Sequence, residues 1–160
     1  MKTILNQWLV LLVFIAITFA AAFVGGLFTS SSVADWYPAL NKPSWTPPSW
    51  LFGPVWMLLY LSMAVAAWMI WRTNGIEGSK LPLALFIAQL VLNAAWSGIF
   101  FGMRNPGLAF MEIILLWCAI LATMLAFWQV KPLAGGLFVP YLLWVTFAAA
   151  LNFAIWRFNP

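Results

Sequence analysis

The sequence contains no histidine, a single cysteine (Cys118) and only three acidic residues among its 160 positions. Without histidine there is no His-based metal site and no Ser-His or Cys-His nucleophile pair, and one cysteine makes neither a CxxC redox motif nor a disulfide framework. No metal and no covalently bound cofactor is expected. Charged residues make up only 6% of the chain, where a soluble domain carries about a quarter. The seven Lys/Arg and three Asp/Glu are scattered singly and form no clustered basic face, so nucleic acid is not an expected partner. What is present is apolar: 66% hydrophobic residues and a mean hydropathy of +1.00, the composition of an integral membrane protein. Twelve Trp, fourteen Phe and three Tyr supply 18% of the residues. A function is to be sought in that aromatic surface.

A membrane helix needs about 20 mostly apolar residues to cross a hydrocarbon core of roughly 30 Å. Cut at its polar and Pro/Gly punctuation, the chain gives five spans, at 8–28, 51–71, 81–102, 107–130 and 133–156. Fold class is therefore an all-α integral membrane protein, a five-transmembrane-helix bundle in one domain covering 1–160. The first apolar run is longer than the roughly 7 to 15 residues of a signal-peptide core, so it is read as a true span. Only the loop 29–50 is long. It holds Pro38, Pro43, Pro47 and Pro48 among Trp36, Tyr37, Trp45 and Trp50, and prolines stiffen a segment by fixing φ. It is expected to have one shape and to act as a lid over one end of the bundle, with Lys42 facing either a ligand carboxylate or lipid phosphate.

In the third span, 100° per residue places Gln89, Asn93, Trp96 and Phe100 within about 60° of one another. Amides are costly to expose to lipid, so this stripe should face inward, either bonding neighbouring helices or orienting a ligand. Asn152 on the fifth span is read as structural. The opposite face of the third span carries Ala84, Val91, Ala95, Gly98 and Gly102, whose small side chains allow close helix approach. With the front stripe claimed by the interior, this back face is expected to meet a second protomer. Trp56, Tyr60, Met63 and Ala67 share a face of the second span, and Tyr141, Trp144 and Ala148 one of the fifth. Both set large flat rings beside small residues, leaving room for a flat apolar ligand. Trp8, Trp50, Trp71 and Trp156 fall at span ends as an interfacial belt. Glu112, one turn inside the fourth span, is expected to pair with Arg104 or to reach the interface, and Asp35 to be solvated or to cap a helix. The candidate cavity residues are thus Tyr37, Pro47, Trp56, Gln89, Asn93, Trp144 and Ala148.

The first loop reads DWYPALNKPSWTPPSW from Asp35 to Trp50, and Trp36, Tyr37, Leu40, Lys42, Pro43, Trp45, Pro47 and Pro48 fill the pattern WYxxLxKPxWxPP. With Gln89, Asn93 and Trp96, FFG at Phe100–Gly102, VPYLLW at Val139–Trp144, and Leu151 with Asn152, the chain resembles the translocator protein / tryptophan-rich sensory protein family (TspO/MBR, the peripheral benzodiazepine receptor family). The resemblance covers essentially the whole chain. It implies a five-helix bundle, usually dimeric, that binds porphyrins and other tetrapyrroles, and in some members cholesterol or synthetic isoquinoline and benzodiazepine ligands. It places the same cavity residues at the ligand. The family's sterol motif, L/V-x-Y-x-K/R, is incomplete here, because Leu142 to Thr146 follow Tyr141 with no basic residue, so cholesterol is not an expected partner. The leading expectation is a receptor or transporter-like protein for a porphyrin, protoporphyrin IX or haem-like, with a sensory or regulatory role. Two other classes stay open: an enzyme degrading bound protoporphyrin in light, and a structural membrane protein without a small ligand.

Overall fold

A computed structural model describes the backbone of residues 2–160 and the side chains of residues 6–160. The helices are α1 (Lys2–Val33), α2 (Trp36–Ala39), α3 (Ser49–Asn74), α4 (Lys80–Ser97) followed by a π-turn (Gly98–Gly102), α5 (Pro106–Val130), α6 (Pro132–Gly136) and α7 (Val139–Phe158). Five stretches are long and apolar enough to cross a membrane: Asn6–Val33, Ser49–Asn74, Glu77–Gly102, Pro106–Val130 and Pro132–Phe158. The protein is a multi-pass integral membrane protein of the all-α class. In cross-section, α3 packs on α1, α1 on α4, α4 on α5 and α5 on α7, and α3 also meets α6, which closes a ring.

Two boundaries differ from the sequence reading, each for a local reason. The loop was expected to begin at Thr29, but α1 runs on to Val33. The hydroxyls of Thr29, Ser30 and Ser31 donate to the carbonyls of Gly25, Leu27 and Phe28 at 2.9, 3.0 and 2.7 Å. These polar side chains are thus satisfied on the helix itself, so it need not stop where hydropathy drops. The fifth span is not one helix. It breaks between Gly136 and Val139, with Pro132 and Pro140 each in a first turn, where a missing N–H costs nothing. By contrast α5 starts where its caps put it: Asn105 Oδ1 accepts from Leu108 N at 3.0 Å, ahead of Pro106.

The half of the bundle away from the 34–48 loop is filled with side chains. Met63, Ile70, Phe86, Ile120, Phe127 and Phe138 are all fully buried there. At that end α1 is tied to α3, with Trp8 stacked on Trp68 at 6.1 Å and Trp68 Nε1 donating to the Gln7 carbonyl at 2.9 Å. The other half, beneath the loop, is hollow.

Gly98 and Gly102, expected to meet a second protomer, lie against α1 of the same chain. A Cβ at Gly98 would lie 3.5 Å from the Phe28 ring, and one at Gly102 3.0 Å, so both glycines admit a side chain of α1 in the same chain. At the π-turn end α1 crosses the back of α4, leaving Gly98 half-buried and Gly102 exposed. Toward the other end, Ala84 and Val91 remain exposed and Ala95 is half-buried.

Candidate functional site

A cavity of about 440 Å3 lies between α1, α3, α4 and α7 beneath the loop, within the usual range for small-molecule sites. Tyr60 and Asn93 form its floor, backed from below by a chain of hydrogen bonds. Tyr60 Oη donates to Asn93 Oδ1 at 2.5 Å, Asn93 Nδ2 to Tyr141 Oη at 2.9 Å, and Tyr141 Oη to Gln89 Oε1 at 2.9 Å. The four side chains come from three helices and are all buried, so the network pins α3, α4 and α7 at one height. Amides facing inward satisfy one another here instead of being exposed to lipid.

Above the floor the walls are aromatic. Trp56 lies 5.5 Å from Tyr60 and edge-on to Tyr141 at 6.1 Å, and Trp144 is edge-on to Phe52 at 5.7 Å. Trp96 stacks on Phe100 at 5.1 Å. Its Nε1 donates to Asn152 Oδ1 at 3.0 Å, while Asn152 Nδ2 donates to the Pro106 carbonyl at 2.7 Å, which ties α4 to α7 and to the start of α5. The π-turn contributes both Phe100 and Phe101 to the lining. A widened turn of this kind is often found at functional sites. The fourth wall is α1, with Ala22, Gly25, Gly26, Thr29, Ser30 and Val33. Trp144 Nε1 is buried without a hydrogen-bond partner among the described residues.

The roof is fixed by polar ties. Asp35 Oδ1 accepts from Trp36 N at 2.6 Å and its Oδ2 from Arg104 at 3.1 Å; that backbone N–H and then the guanidinium hold the Asp35 carboxyl below its usual range. Asp35 thus caps α2, as one of its two readings had it. Lys42 Nζ donates to the carbonyls of Tyr37, Pro38 and Leu40 at 2.8, 3.2 and 3.0 Å and sits 5.0 Å from the centre of the Tyr37 ring. Its ammonium is used up in folding the loop, which corrects the expectation that it meets a carboxylate or phosphate. Asn41 and Asn159 exchange hydrogen bonds at 3.0 and 2.9 Å, and Trp45 leans on Phe147 at 5.8 Å. Tyr37, which burial pushes up from its ordinary phenol pKa, points down as part of the lining.

Of the residues singled out by sequence, the structure brings Tyr37, Trp56, Asn93, Trp144 and Ala148 together around the cavity. Pro47 and Gln89 are not among its walls: Pro47 shapes the loop, and Gln89 lies one helical turn below Asn93, held by Tyr141 and 3.6 Å from Met63 Sδ. The expected pairing of Glu112 is also corrected. Arg104 is taken by Asp35, and Glu112, 8% exposed, has no hydrogen-bond partner for either carboxylate oxygen among the described residues. Sequence reasoning missed the α1 wall. Its signal was present in the small residues at helical spacing, Ala22, Gly25 or Gly26, Thr29 and Val33. Among the described residues, none that lines the cavity is charged.

The sequence profile of the TspO/MBR family matches residues 14–157. Similar proteins include the human translocator protein, 44% identical over 139 residues that cover 86% of this chain and 82% of the relative. The tryptophan-rich protein TspO of Chlorobaculum tepidum is 43% identical over 159 residues, 97% and 99% of the two chains. The tryptophan-rich sensory protein of Cereibacter sphaeroides is 42% identical over 153 residues, 96% and 93%. The matched residues reach into all five spans and include the proline-rich loop and every residue of the cavity, and the chain belongs to the TspO/MBR family.

Proposed function

We propose that the protein is a membrane receptor or transporter-like binding protein for a porphyrin or related tetrapyrrole, held in the cavity between the helices, with a sensory or regulatory role. The observation that carries this reading is the cavity itself: about 440 Å3, walled by Trp56, Trp96, Phe100 and Trp144, floored by amides and phenols. Flat apolar rings gain from stacking on such walls, and the polar floor can orient one. The names of the relatives, a translocator protein and a tryptophan-rich sensory protein, support a transport or sensory role. With Lys42 engaged by three carbonyls and no charged residue lining the cavity among the described residues, recognition rests on the ring and not on its carboxylates. Titration of the purified protein with protoporphyrin is expected to quench tryptophan fluorescence saturably. Absence of any quenching would sink the assignment, and product formation from the bound porphyrin under illumination would turn it toward a degrading enzyme.

The protein is also proposed to form a homodimer, now through the exposed part of the α4 stripe. Ala84→Trp with Val91→Trp should convert crosslinked dimer to monomer in lipid. An unchanged dimer fraction would remove this contact. Cholesterol is expected to bind no better than a control sterol, because Tyr141, the centre of the incomplete motif, is fully buried with its hydroxyl engaged by Asn93 and Gln89. Saturable sterol binding lost in Tyr141→Phe would overturn that.

A further inference from the structure

The lining residues that are exposed are confined to two helices. Gly26, Ser30 and Val33 on α1, and Ser49 and Gly53 on α3, both line the cavity and face outward, whereas the lining residues of α2, α4, the π-turn and α7 are buried or half-buried. The mouth is therefore the seam between α1 and α3. A Cβ added at Gly26 or at Gly53 would meet nothing within 4 Å, so the gap there is open space. Farther down, the same seam is shut by Trp8, Trp68 and Gln7 and by Phe19 against Tyr60. The two helices are clamped at one end and parted at the other.

The surroundings of this mouth are those of a lipid contact. Its rim carries Phe23, Leu27, Trp50 and Met57, exposed by 67, 55, 72 and 62%. Gly26 lies seven residues before the end of α1, about 10 Å along the helix axis. With the end of α1 set at the outer edge of the headgroup layer, which is only about 5 to 7 Å thick on each side of a bilayer, the mouth reaches from the headgroups into the acyl chains. The route from water is closed over the top by the loop, with Lys42 on three carbonyls, Asp35 on Arg104 and Asn41 on Asn159.

We propose that the cavity is filled sideways from the bilayer, through the mouth between α1 and α3, by a flat molecule already dissolved among the acyl chains. The inference rests on reading the cavity as a ligand site, and it adds the physical class of the ligand and the phase that delivers it. The ring enters first, because no charged side chain lines the cavity among the described residues. Any carboxylate edge stays at the mouth beside the Ser30 and Ser49 hydroxyls, at headgroup level.

The test uses the full chain in lipid vesicles, with Cys118→Ser removing the exposed native thiol and Ala148→Cys placing one on the cavity wall. A pyrene-maleimide carried in the lipid is compared with a trimethylammonium maleimide in the water. The lipid-borne reagent should label the cavity thiol at least about tenfold faster, and adding Gly26→Phe with Gly53→Phe should slow it by about tenfold. Leu58→Phe, on the lipid face of α3, should not. Labelling by the charged reagent at an equal rate, no labelling by the lipid-borne one, or no slowing by the paired phenylalanines would each overturn the route. The reagent comparison needs no substitution at the mouth, so it holds even if the phenylalanines disturb the fold. Porphyrin takes no part in it, so a failed porphyrin titration would remove the ligand and leave the route standing.

Discussion

Gly135→Ala is expected to destabilise the protein by about 2 kcal/mol, a loss of roughly 4 to 8 °C in the thermal midpoint for a chain of this size. A Cβ at Gly135 would lie 2.7 Å from Trp128 Cα and 2.8 Å from its N. Those atoms are backbone of the last turns of α5, so no rotamer change relieves the overlap and the α5–α6 connection itself must open. Such opening spreads, because α6 also holds the second span: Ser62 Oγ donates to the Leu137 carbonyl at 2.9 Å, and Ala134 is fully buried. Gly136, where an added Cβ meets nothing within 4 Å, is the matched control, and Gly136→Ala should change the midpoint little. Equal midpoints for Gly135→Ala and the wild type in the same detergent would show that the close approach of α6 to α5 is not maintained.

The same neighbourhood shows what the sequence makes legible. The five spans follow from length and hydropathy, because an apolar run and its Pro/Gly punctuation report one large physical fact, the thickness of the hydrocarbon. Direction within a span is harder to read. In lipid an outward side chain is as apolar as an inward one, so Val91, 63% exposed, and Val145, 1% exposed, look alike. Only the polar exceptions give the inner face away, and Gln89, Asn93 and Asn152 do turn inward. The small residues of the third span indicate close approach but not to what: Gly98 and Gly102 receive Phe28 of the same chain. The role of Lys42 is not legible in the sequence, because its partners are three backbone carbonyls and a carbonyl's position depends on the loop path, which residue identities do not show. The α1 wall is hard to read from sequence because its small residues, Ala22, Gly25 and Gly26, fit an ordinary apolar span as well as they fit the side of a cavity.

The floor network explains why these identities sit at one level of the cavity. Asn93 uses its oxygen for Tyr60 and its nitrogen for Tyr141, leaving Tyr141 to donate onward to Gln89. Each helix is thereby fixed in rotation as well as height, and a rotation of α3 or α7 would swing Trp56 or Trp144 out of the wall. The polar floor thus positions the aromatic walls, and the walls are where a ring would gain most.

Under the proposed function, Trp56→Ala and Trp144→Ala should therefore each weaken porphyrin binding by about tenfold, equal to about 1.4 kcal/mol. That is the upper range for loss of one stacking surface beyond buried area, and it suits tryptophans whose own neighbours hold them edge-on: Tyr141 at 6.1 Å for Trp56, Phe52 at 5.7 Å for Trp144. Trp144→Phe separates two contributions. It keeps a stacking ring but removes Nε1, the wall nitrogen with no partner, so a loss close to that of the alanine variant would mean that the ligand accepts a hydrogen bond there. A small loss would assign the affinity to stacking. Trp8→Ala is the comparison, since Trp8 stacks on Trp68 at the closed end of the α1–α3 seam and touches no part of the cavity; its affinity should match the wild type. Equal losses at Trp8, Trp56 and Trp144, or none at any, would place the porphyrin on the outer faces of the helices and leave the cavity to another ligand.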